Sequence, residues 1–342
     1  MVVTSALALA LNNEILSYRN SVFACNTINS YRTHRRRYLE FCSLMNYEVV
    51  PISTHRLMQY TAYLARTLKP QSVRQYLNFV ALIHKEYSLP NPLLDNWHLH
   101  SLLKGISRVK GCQTKPKQPM TISILLRLYR LLNLHSSLHC SFWAICLVGF
   151  FGMFRKSHMV STSSLSFDSS KQFTKEDFQF FSDHVRIRVR WSKVIQFHQR
   201  VLFIPLTTIP GSPLCPVYAI QQAFRLTASD SDKSPAFSWR HPSFSRSTPF
   251  TYGKFMLLFR GFLDQLGLCT SSYGSHSLRR GGASLALQAG VPIDTIKLMG
   301  DWHSDAVFLY LFMPTNLRLS AQRHLTSHLL LHYPFGFGEQ SH

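Results

Sequence analysis

The amino-acid sequence predicts a mainly helical protein of two domains, the second of which contains a small antiparallel β-sheet. Apolar residues recur at helical spacing through residues 26–110, a polar segment follows at 111–119, and a strict two-residue alternation appears at 185–191. A length of 342 residues also fits two domains. We expect an extension at residues 1–25, a helical domain at 26–110, a linker at 111–119, a second domain at 120–315 and a tail at 316–342.

The first domain is predicted to consist of four helices. Ser53 or Thr54 can cap the second helix, because a hydroxyl accepts a hydrogen bond from an unpaired N–H of the first turn. Pro70 can open the third helix, because its missing N–H would have had no partner there. The four predicted helices cover residues 27–45, 53–68, 70–83 and 96–109.

The second domain combines helices with a short sheet. Between residues 185 and 191 apolar side chains alternate with arginine, which predicts a strand with one apolar and one cationic face. Residues 177–181 and 200–206 are its predicted neighbours, residues 193–199 form the hairpin loop, and residues 229–249 form a surface loop. The predicted helices cover residues 122–132, 141–151, 255–266, 278–288, 293–299 and 305–312, with a helix-like stretch at 316–331.

Positive charge is spread over both predicted domains. The chain has 37 Lys and Arg against 16 Asp and Glu, a net charge of +21. Residues 1–118 hold 15 basic and 5 acidic side chains, and the remainder hold 22 and 11. Because the excess is shared, it predicts that a nucleic acid is held between the domains. The alternative is a soluble protein with a high isoelectric point.

Cysteines and apolar runs exclude other classes of protein. The seven cysteines include no CxxC pair, which favours free thiols in a reducing compartment over a disulfide framework or a metal site. The apolar run at residues 142–154 has 13 residues, too few to span a bilayer. Residues 2–11 lack the basic start of a signal peptide. We therefore predict no membrane insertion and no bound metal.

The clearest chemistry lies near the C-terminus, in residues 276–283 (HSLRRGGA), residues 300–304 (GDWHS) and Tyr310. A tyrosine hydroxyl is a usable nucleophile when cations neutralise the charge that develops on its target. Arginine grips phosphate through two parallel hydrogen bonds, and His276 and Arg279 share a face if a helix has begun. The pattern predicts phosphoryl transfer from a nucleic-acid backbone to Tyr310.

Two basic residues upstream complete the set. Arg155 directly follows the apolar run, where a buried charge needs an anionic partner. Lys193 is predicted at the hairpin tip, within reach of a phosphate or of a leaving oxygen that needs a proton. Taken singly, each residue has a structural alternative: Arg155 pairs with a carboxylate, Lys193 is an exposed turn lysine, and Tyr310 packs in a core.

Four segments resemble the tyrosine recombinase family, the phage-integrase-like enzymes, in order and spacing. HSLRRGGA resembles the family's His-x-x-Arg box, and LMGDWHSDAVFLYL resembles the box that ends in the nucleophile. GMFRKS and RWSKVIQFHQRVLFIPL resemble the first arginine box and the hairpin-lysine region. The first domain resembles the family's core-binding domain in layout. The resemblance covers about residues 26–315, and its Gly-x-Trp variant is similar to recombinases of Cryptons and DIRS-type mobile elements.

The resemblance implies a two-domain clamp around duplex DNA and a role for each candidate residue. Arg155 and Arg279 would hold the non-bridging oxygens of the scissile phosphate, and Lys193 would protonate the departing 5′-oxygen. His276 would assist proton transfer at the nucleophile, and Trp302 would pack against or hydrogen-bond the phosphate. Tyr310 would form a 3′-phosphotyrosyl link that stores the bond energy, so neither a metal nor ATP nor another cofactor would be needed.

The implied function is site-specific DNA recombination. The partner would be double-stranded DNA, the family implies a homotetramer on it, and the mobile-element resemblance points to the nucleus. Further DNA contacts are predicted on the first domain and the linker, at Arg32, Arg36, Ser72, Arg74, Lys115 and Lys117.

Two features depart from the family pattern. His158 stands where the family usually has an acidic residue that helps to order the arginines, so catalysis is either weakened or supported by a carboxylate from elsewhere. Trp302 lies one residue closer to Tyr310 than the usual His or Trp, and His303 lies closer still. The first departure keeps a second function open, that of a catalytically inactive, domesticated DNA-binding protein. A type IB topoisomerase would use the same chemistry, but the compact size favours a recombinase.

Overall fold

The computed structural model describes residues 2–111, 116–192, 195, 200–228, 231–240, 247–313 and 315–332. The chain divides into two compact units, residues 1–115 and 116–342. The division falls inside the segment predicted as a linker, and the functional assignment of each part stays a prediction. Lys115, Lys193 and most of the predicted hairpin loop lie outside the described residues.

The first unit is built from helices. These are α1 (Val2–Asn20), α2 (Cys25–Met45), α3 (Thr54–Thr67), α4 (Pro70–Glu86) and α5 (Trp97–Lys110). The Ser53 hydroxyl accepts a hydrogen bond from the backbone N–H of Arg56 and caps α3, and Pro70 is the first residue of α4. The four helices expected from the sequence are therefore present, and α1 adds a helix in the extension.

The core of the first unit is aromatic. The buried rings of Tyr38 and Tyr60 pack edge to face, with centroids 5.0 Å apart, and Phe41 lies 5.0 Å from Tyr60. The Tyr38 hydroxyl donates to the Val49 carbonyl at 2.7 Å, so its burial leaves that group paired. Each such fully buried side chain contributes roughly 1.5–3 kcal/mol to stability.

The second unit holds eight helices and five strands within the described residues. The helices are α6 (Ile122–Tyr129), α7 (Ser137–Phe151), α8 (Lys156–Met159), α9 (Pro216–Arg225), α10 (Tyr252–Gln265), α11 (Ser275–Gln288), α12 (Ile293–Met299) and α13 (Thr315–His332). The strands are β1 (Phe178–Phe180), β2 (His184–Val189), β3 (Leu202–Thr207), β4 (Ser238–Arg240) and β5 (Ser247–Pro249).

A three-stranded antiparallel sheet in the order β1-β2-β3 forms at the predicted place. Ile187 at the centre of β2 lies opposite Phe178 of β1 and Ile204 of β3, and all three are buried. The mainly α fold with a small antiparallel sheet is thus confirmed. The prediction of a loop throughout residues 229–249 is wrong, because β4 and β5 pair there. The Ser141 hydroxyl of α7 donates to the Ser238 carbonyl, so packing against a distant helix orders this polar strand.

The outer face of β2 is not the free cationic surface that the alternation predicts. Arg188 and Arg190 both form ion pairs with Glu176 and Asp177, at N···O distances of 2.6 to 3.4 Å. The Arg186 guanidinium lies over the rings of Phe181 and Phe203 instead. The acidic partners come from a 3₁₀ turn at Lys175–Asp177, just before β1. These arginines therefore stabilise the sheet.

The centre of the second unit is α7, which is buried along nearly its whole length. It packs against α9 and α11. Because the helix is buried on all sides, its apolar residues are spread around its whole circumference. In the part of the chain that the structure describes, no helix is both long and apolar enough to cross a membrane.

The segment before Tyr310 differs from the predicted helix at residues 305–312. It is a 3₁₀ segment, Asp305–Leu309, and Tyr310 follows as its cap. The Tyr310 N–H donates to the Val307 carbonyl at 2.8 Å, and the Phe312 N–H turns away to the Ser284 hydroxyl at 2.9 Å. That bond to α11 ends the helical ladder and fixes the position of Tyr310.

Candidate active site

Helix α11 positions His276 and Arg279. It begins at Ser275, so both residues lie in its first turns on one face, as their spacing predicts. A Cβ atom added to Gly281 would lie 2.0 Å from the Met120 carbonyl oxygen, and one on Gly282 would lie 1.8 Å from that of Phe150. The two glycines therefore let α11 pack directly on the chain's own backbone, which brings Arg279 to the end of α7.

Arg279 is a buried guanidinium, with 1% of its surface exposed. It donates to the Met153 carbonyl, and its Nη2 donates to the Gly300 carbonyl at 2.6 Å. Its Nε is buried and has no hydrogen-bond partner among the described residues. Burial, together with the charge of Arg155, lowers the pKa of Arg279 to about 9. A buried cation in these surroundings is stabilised by an anion that accepts from its remaining donors.

Trp302 and Tyr310 lie beside this guanidinium. The Arg279 Cζ atom is 3.7 Å from the centroid of the Trp302 ring and 5.2 Å from that of Tyr310. The two rings lie 5.2 Å apart. A Cβ atom on Gly300 would lie 1.7 Å from the Trp302 ring, so the Gly-x-Trp spacing allows the indole to fold back over the loop.

Tyr310 is hydrogen-bonded to His276. Its hydroxyl lies 3.2 Å from Nδ1 of His276. Desolvation lowers the pKa of His276, and the positive charges of Arg279, Lys156 and Arg155 lower it further. The imidazole is therefore neutral near pH 7, and a neutral imidazole can accept the proton that the hydroxyl loses on attack.

Arg155 precedes α8 and contacts Asp301. Its Nη1 lies 3.5 Å from the Asp301 carboxylate, and its Nη2 donates to the Asp301 carbonyl at 3.2 Å. Arg155 therefore has the carboxylate partner that its structural alternative expects. It also lies beside the other candidate residues. The carboxylate also accepts from the Ser192 hydroxyl at 2.6 Å and from Arg200 at 2.8 Å.

His158, at the position where an acid is usual, is buried with 3% exposure. It packs among the rings of Phe154, Phe173 and Trp191. Both of its ring nitrogens are without a hydrogen-bond partner among the described residues. Burial, and then the charges of Arg155 and Arg279, lower the pKa of His158 to about 3. It is therefore a neutral side chain and supplies no charge to balance the arginines.

The structure brings together five of the six predicted catalytic residues. We call Arg155, His276, Arg279, Trp302 and Tyr310 the anion pocket. Lys193 lies outside the described residues, and its role stays a prediction. Sequence reasoning missed Asp301, Ser192 and Arg200. The signal for Asp301 was its place nine positions before Tyr310, where many members of the resembling family have a His or Trp.

The predicted DNA contacts of the first unit lie on its surface. Arg32, Arg36 and Arg74 are exposed, and Arg36 lies 3.8 Å from Glu40. Ser72 lines a groove of about 840 Å³ at the start of α4, together with Lys69, Arg108 and Lys110. Lys117, in the second unit, is exposed and donates to the Ser271 carbonyl at 2.5 Å.

Comparison with known proteins supports one family. No family model matches the chain. The integrase/recombinase xerD homolog of Selenomonas ruminantium is 25% identical over 296 residues, which span 83% of this chain and 82% of that protein.

Solved structures share the fold at low sequence identity. The XerH site-specific recombinase bound to a palindromic difH substrate has a TM-score of 0.58 and 12% identity, over 89% of this chain and 79% of its own. The Tn1549 transposon integrase with circular intermediate DNA has a TM-score of 0.55 and 12% identity, over 92% and 98%. A lambda integrase dimer on a core site has a TM-score of 0.54 and 14% identity, over 88% and 93%. The fold is that of the tyrosine recombinases, and the relative supports the tyrosine recombinase/integrase family.

Proposed function

We propose that this chain is a site-specific DNA recombinase that cuts and rejoins DNA through a 3′-phosphotyrosyl link on Tyr310. One observation carries the proposal: the Tyr310 hydroxyl lies 3.2 Å from a neutral His276, beside the buried guanidinium of Arg279. The candidate nucleophile, Tyr310, thus contacts both a proton acceptor, His276, and a cation that can bind phosphate, Arg279.

The reaction begins when a DNA phosphate enters the anion pocket. Arg279 and Arg155 hold its non-bridging oxygens, so their charge offsets the negative charge of the pentacoordinate transition state. The Tyr310 oxygen forms a bond to phosphorus, and its proton passes to Nδ1 of His276. The bond from phosphorus to the 5′-oxygen breaks, and we assign the proton that this oxygen takes up to Lys193. Attack by a 5′-hydroxyl reverses the steps and rejoins the strand.

Trp302 supports the nucleophile through its ring. The indole lies against both Arg279 and Tyr310, so it holds the cation and the tyrosine at a fixed separation. In the proposed complex the indole would pack against or hydrogen-bond the phosphate.

DNA binding in this proposal uses the surface of both units. The net charge of +21 and the groove lined by Lys69, Ser72 and Arg108 favour a polyanionic partner. Arg32, Arg36 and Arg74 are the further contacts that we assign to the first unit, and Lys115 and Lys117 those of the linker. A homotetramer on DNA, a nuclear location and a relation to Crypton or DIRS-type elements are finer parts of the same proposal.

The test is a suicide DNA substrate, nicked so that the cleaved strand cannot be rejoined. The wild-type chain should form a covalent protein–DNA adduct that a denaturing gel separates from free DNA. Tyr310→Phe should form none, whereas the matched control Tyr218→Phe, an exposed tyrosine away from the pocket, should form as much as the wild type. DNA binding without any wild-type adduct would favour the inactive, domesticated DNA-binding protein. Adduct formation by Tyr310→Phe would show that another residue is the nucleophile.

A further inference from the structure

Asp301 is a buried carboxylate that the proposed reaction does not consume. Its side chain is 6% exposed. It accepts from the Ser192 hydroxyl at 2.6 Å, from Arg200 at 2.8 Å and from Arg155 at 3.5 Å. A carboxylate with three donors at such depth is held in one orientation, and it holds its partners in turn.

The charges around the anion pocket make this carboxylate important. Arg155 and Arg279 bring two buried or half-buried positive charges, and the buried His158 is neutral. Among the described residues, Asp301 is the carboxylate that contacts Arg155, and none contacts Arg279. The position of the Arg155 guanidinium therefore depends on Asp301.

The backbone of Asp301 allows a double contact with Arg155. Its φ angle is +52°, in the left-handed region that aspartate tolerates better than most residues. In this conformation both the carbonyl and the carboxylate of Asp301 accept from the one guanidinium, at 3.2 and 3.5 Å. The same carboxylate binds Ser192 and Arg200, which lie far along the chain from Arg155.

We infer that Asp301 is the positioning residue of Arg155 and takes the place of the acidic side chain that this chain lacks at position 158. The inference rests on the proposed function. Asp301 touches neither the nucleophile nor the phosphate, and it acts by holding the Arg155 guanidinium in the orientation that meets a phosphate oxygen. Loss of the Asp301 carboxylate should leave the chemistry of Tyr310 intact. It should misplace the Arg155 guanidinium, one of the two that hold the phosphate oxygens.

The first experiment compares Asp301→Asn with Asp305→Asn in the suicide-substrate assay. The amide keeps the shape of the carboxylate but lacks its charge, so the rate of adduct formation should fall about 100-fold, the size expected for a misplaced positioning group. DNA affinity should stay within about twofold, because most phosphate contacts remain. Asp305 begins the 3₁₀ segment that follows, is 82% exposed and pairs with Lys297, so its variant should react at the wild-type rate. An unchanged rate in Asp301→Asn would overturn the inference.

The second experiment asks whether Asp301 acts through Arg155. In an Arg155→Ala background the loss caused by Asp301→Asn should shrink to less than about threefold, because the group that it positions is gone. When Arg155 is present, adding His158→Glu to Asp301→Asn should raise the rate about tenfold, because it returns a carboxylate to the pocket. If Asp301→Asn lowered the rate about 100-fold in the Arg155→Ala background as well, Asp301 would only stabilise the fold.

Asp301→Glu provides a second test in case Asp301→Asn does not fold. It keeps the charge but moves it by one methylene group, so we expect a rate about tenfold below the wild type when Arg155 is present. In the Arg155→Ala background it should have no effect. The two proposals fail differently: without a wild-type adduct both are wrong, whereas a wild-type adduct with unaltered Asp301 variants overturns the positioning role alone.

Discussion

Two groups of arginines in the second unit look alike in the sequence and differ in the structure. At the end of β2, Arg188 and the following Arg190 share two carboxylates, Glu176 and Asp177, and the Asp177 side chain is fully buried between them. In the anion pocket, Arg279 binds two backbone carbonyls, and no carboxylate among the described residues contacts it.

The difference shows that the supply of carboxylates, and not the number of arginines, separates the structural arginine cluster from the proposed anion-binding site. The charges on β2 are balanced within the fold, so an incoming phosphate would have to displace an existing partner. The charge on Arg279 is buried without such a balance, and this is the condition under which an anion binds. Arg155 and Arg200 are intermediate between the two cases, since they share the single carboxylate of Asp301.

The largest expected effect separates the two groups by chemistry. Arg279→Lys keeps the charge but loses the planar fork, so the rate of adduct formation should fall about 10²- to 10³-fold. Arg190→Lys is the matched change in the structural group and should leave the rate unaltered. The measurement is single-turnover adduct formation at saturating DNA. An equal loss in both variants would mean that the two groups do not differ in function.

A second effect concerns acid. The pKa of His158 is lowered from 6.5 to about 3 on folding, so below pH 6.5 the unfolded chain takes up a proton that the folded chain refuses. Stability should therefore fall as the pH drops from 6.5 towards 3. Relative to a His158→Gln variant, which lacks this proton, the wild type should lose on the order of 2 kcal/mol between pH 6.5 and about 4.5.

Urea unfolding at several pH values measures this difference. Parallel curves for the wild type and His158→Gln would contradict a neutral, buried His158.

The smallest effect tests the structural role of Arg188 and Arg190. Arg190→Ala removes one partner from the buried Asp177 carboxylate, which keeps Arg188, so the free energy of unfolding should fall by about 1–2 kcal/mol. Arg66→Ala, at an exposed arginine without a carboxylate contact in the described residues, should change it by less than about 0.5 kcal/mol. Adduct formation per folded molecule should be the same in both. A slower reaction in Arg190→Ala would place β2 in the active site after all.

The sequence predicted the elements where the pattern is local. The predicted bounds of α12 match the structure, and the three strands of the sheet form in the expected order. The helix α9 was missed although Val217, Ile220 and Ala223 lie at helical spacing, and its opening proline was a further signal. By contrast, the 3₁₀ segment before Tyr310 depends on Ser284, which lies 28 residues before the Phe312 that it binds.

By itself the sequence predicted which residues carry the chemistry, since spacing, residue type and the family resemblance indicate Arg155, His276, Arg279 and Tyr310 as a phosphate-binding set with a nucleophile. Only the tertiary structure decided how each charge is balanced. The reason is the range of the contacts: the alternation on β2 is visible within seven residues, whereas the contact between Arg155 and Asp301 joins positions 146 residues apart. Such a pair forms only when packed helices bring distant loops together, and no local pattern records it.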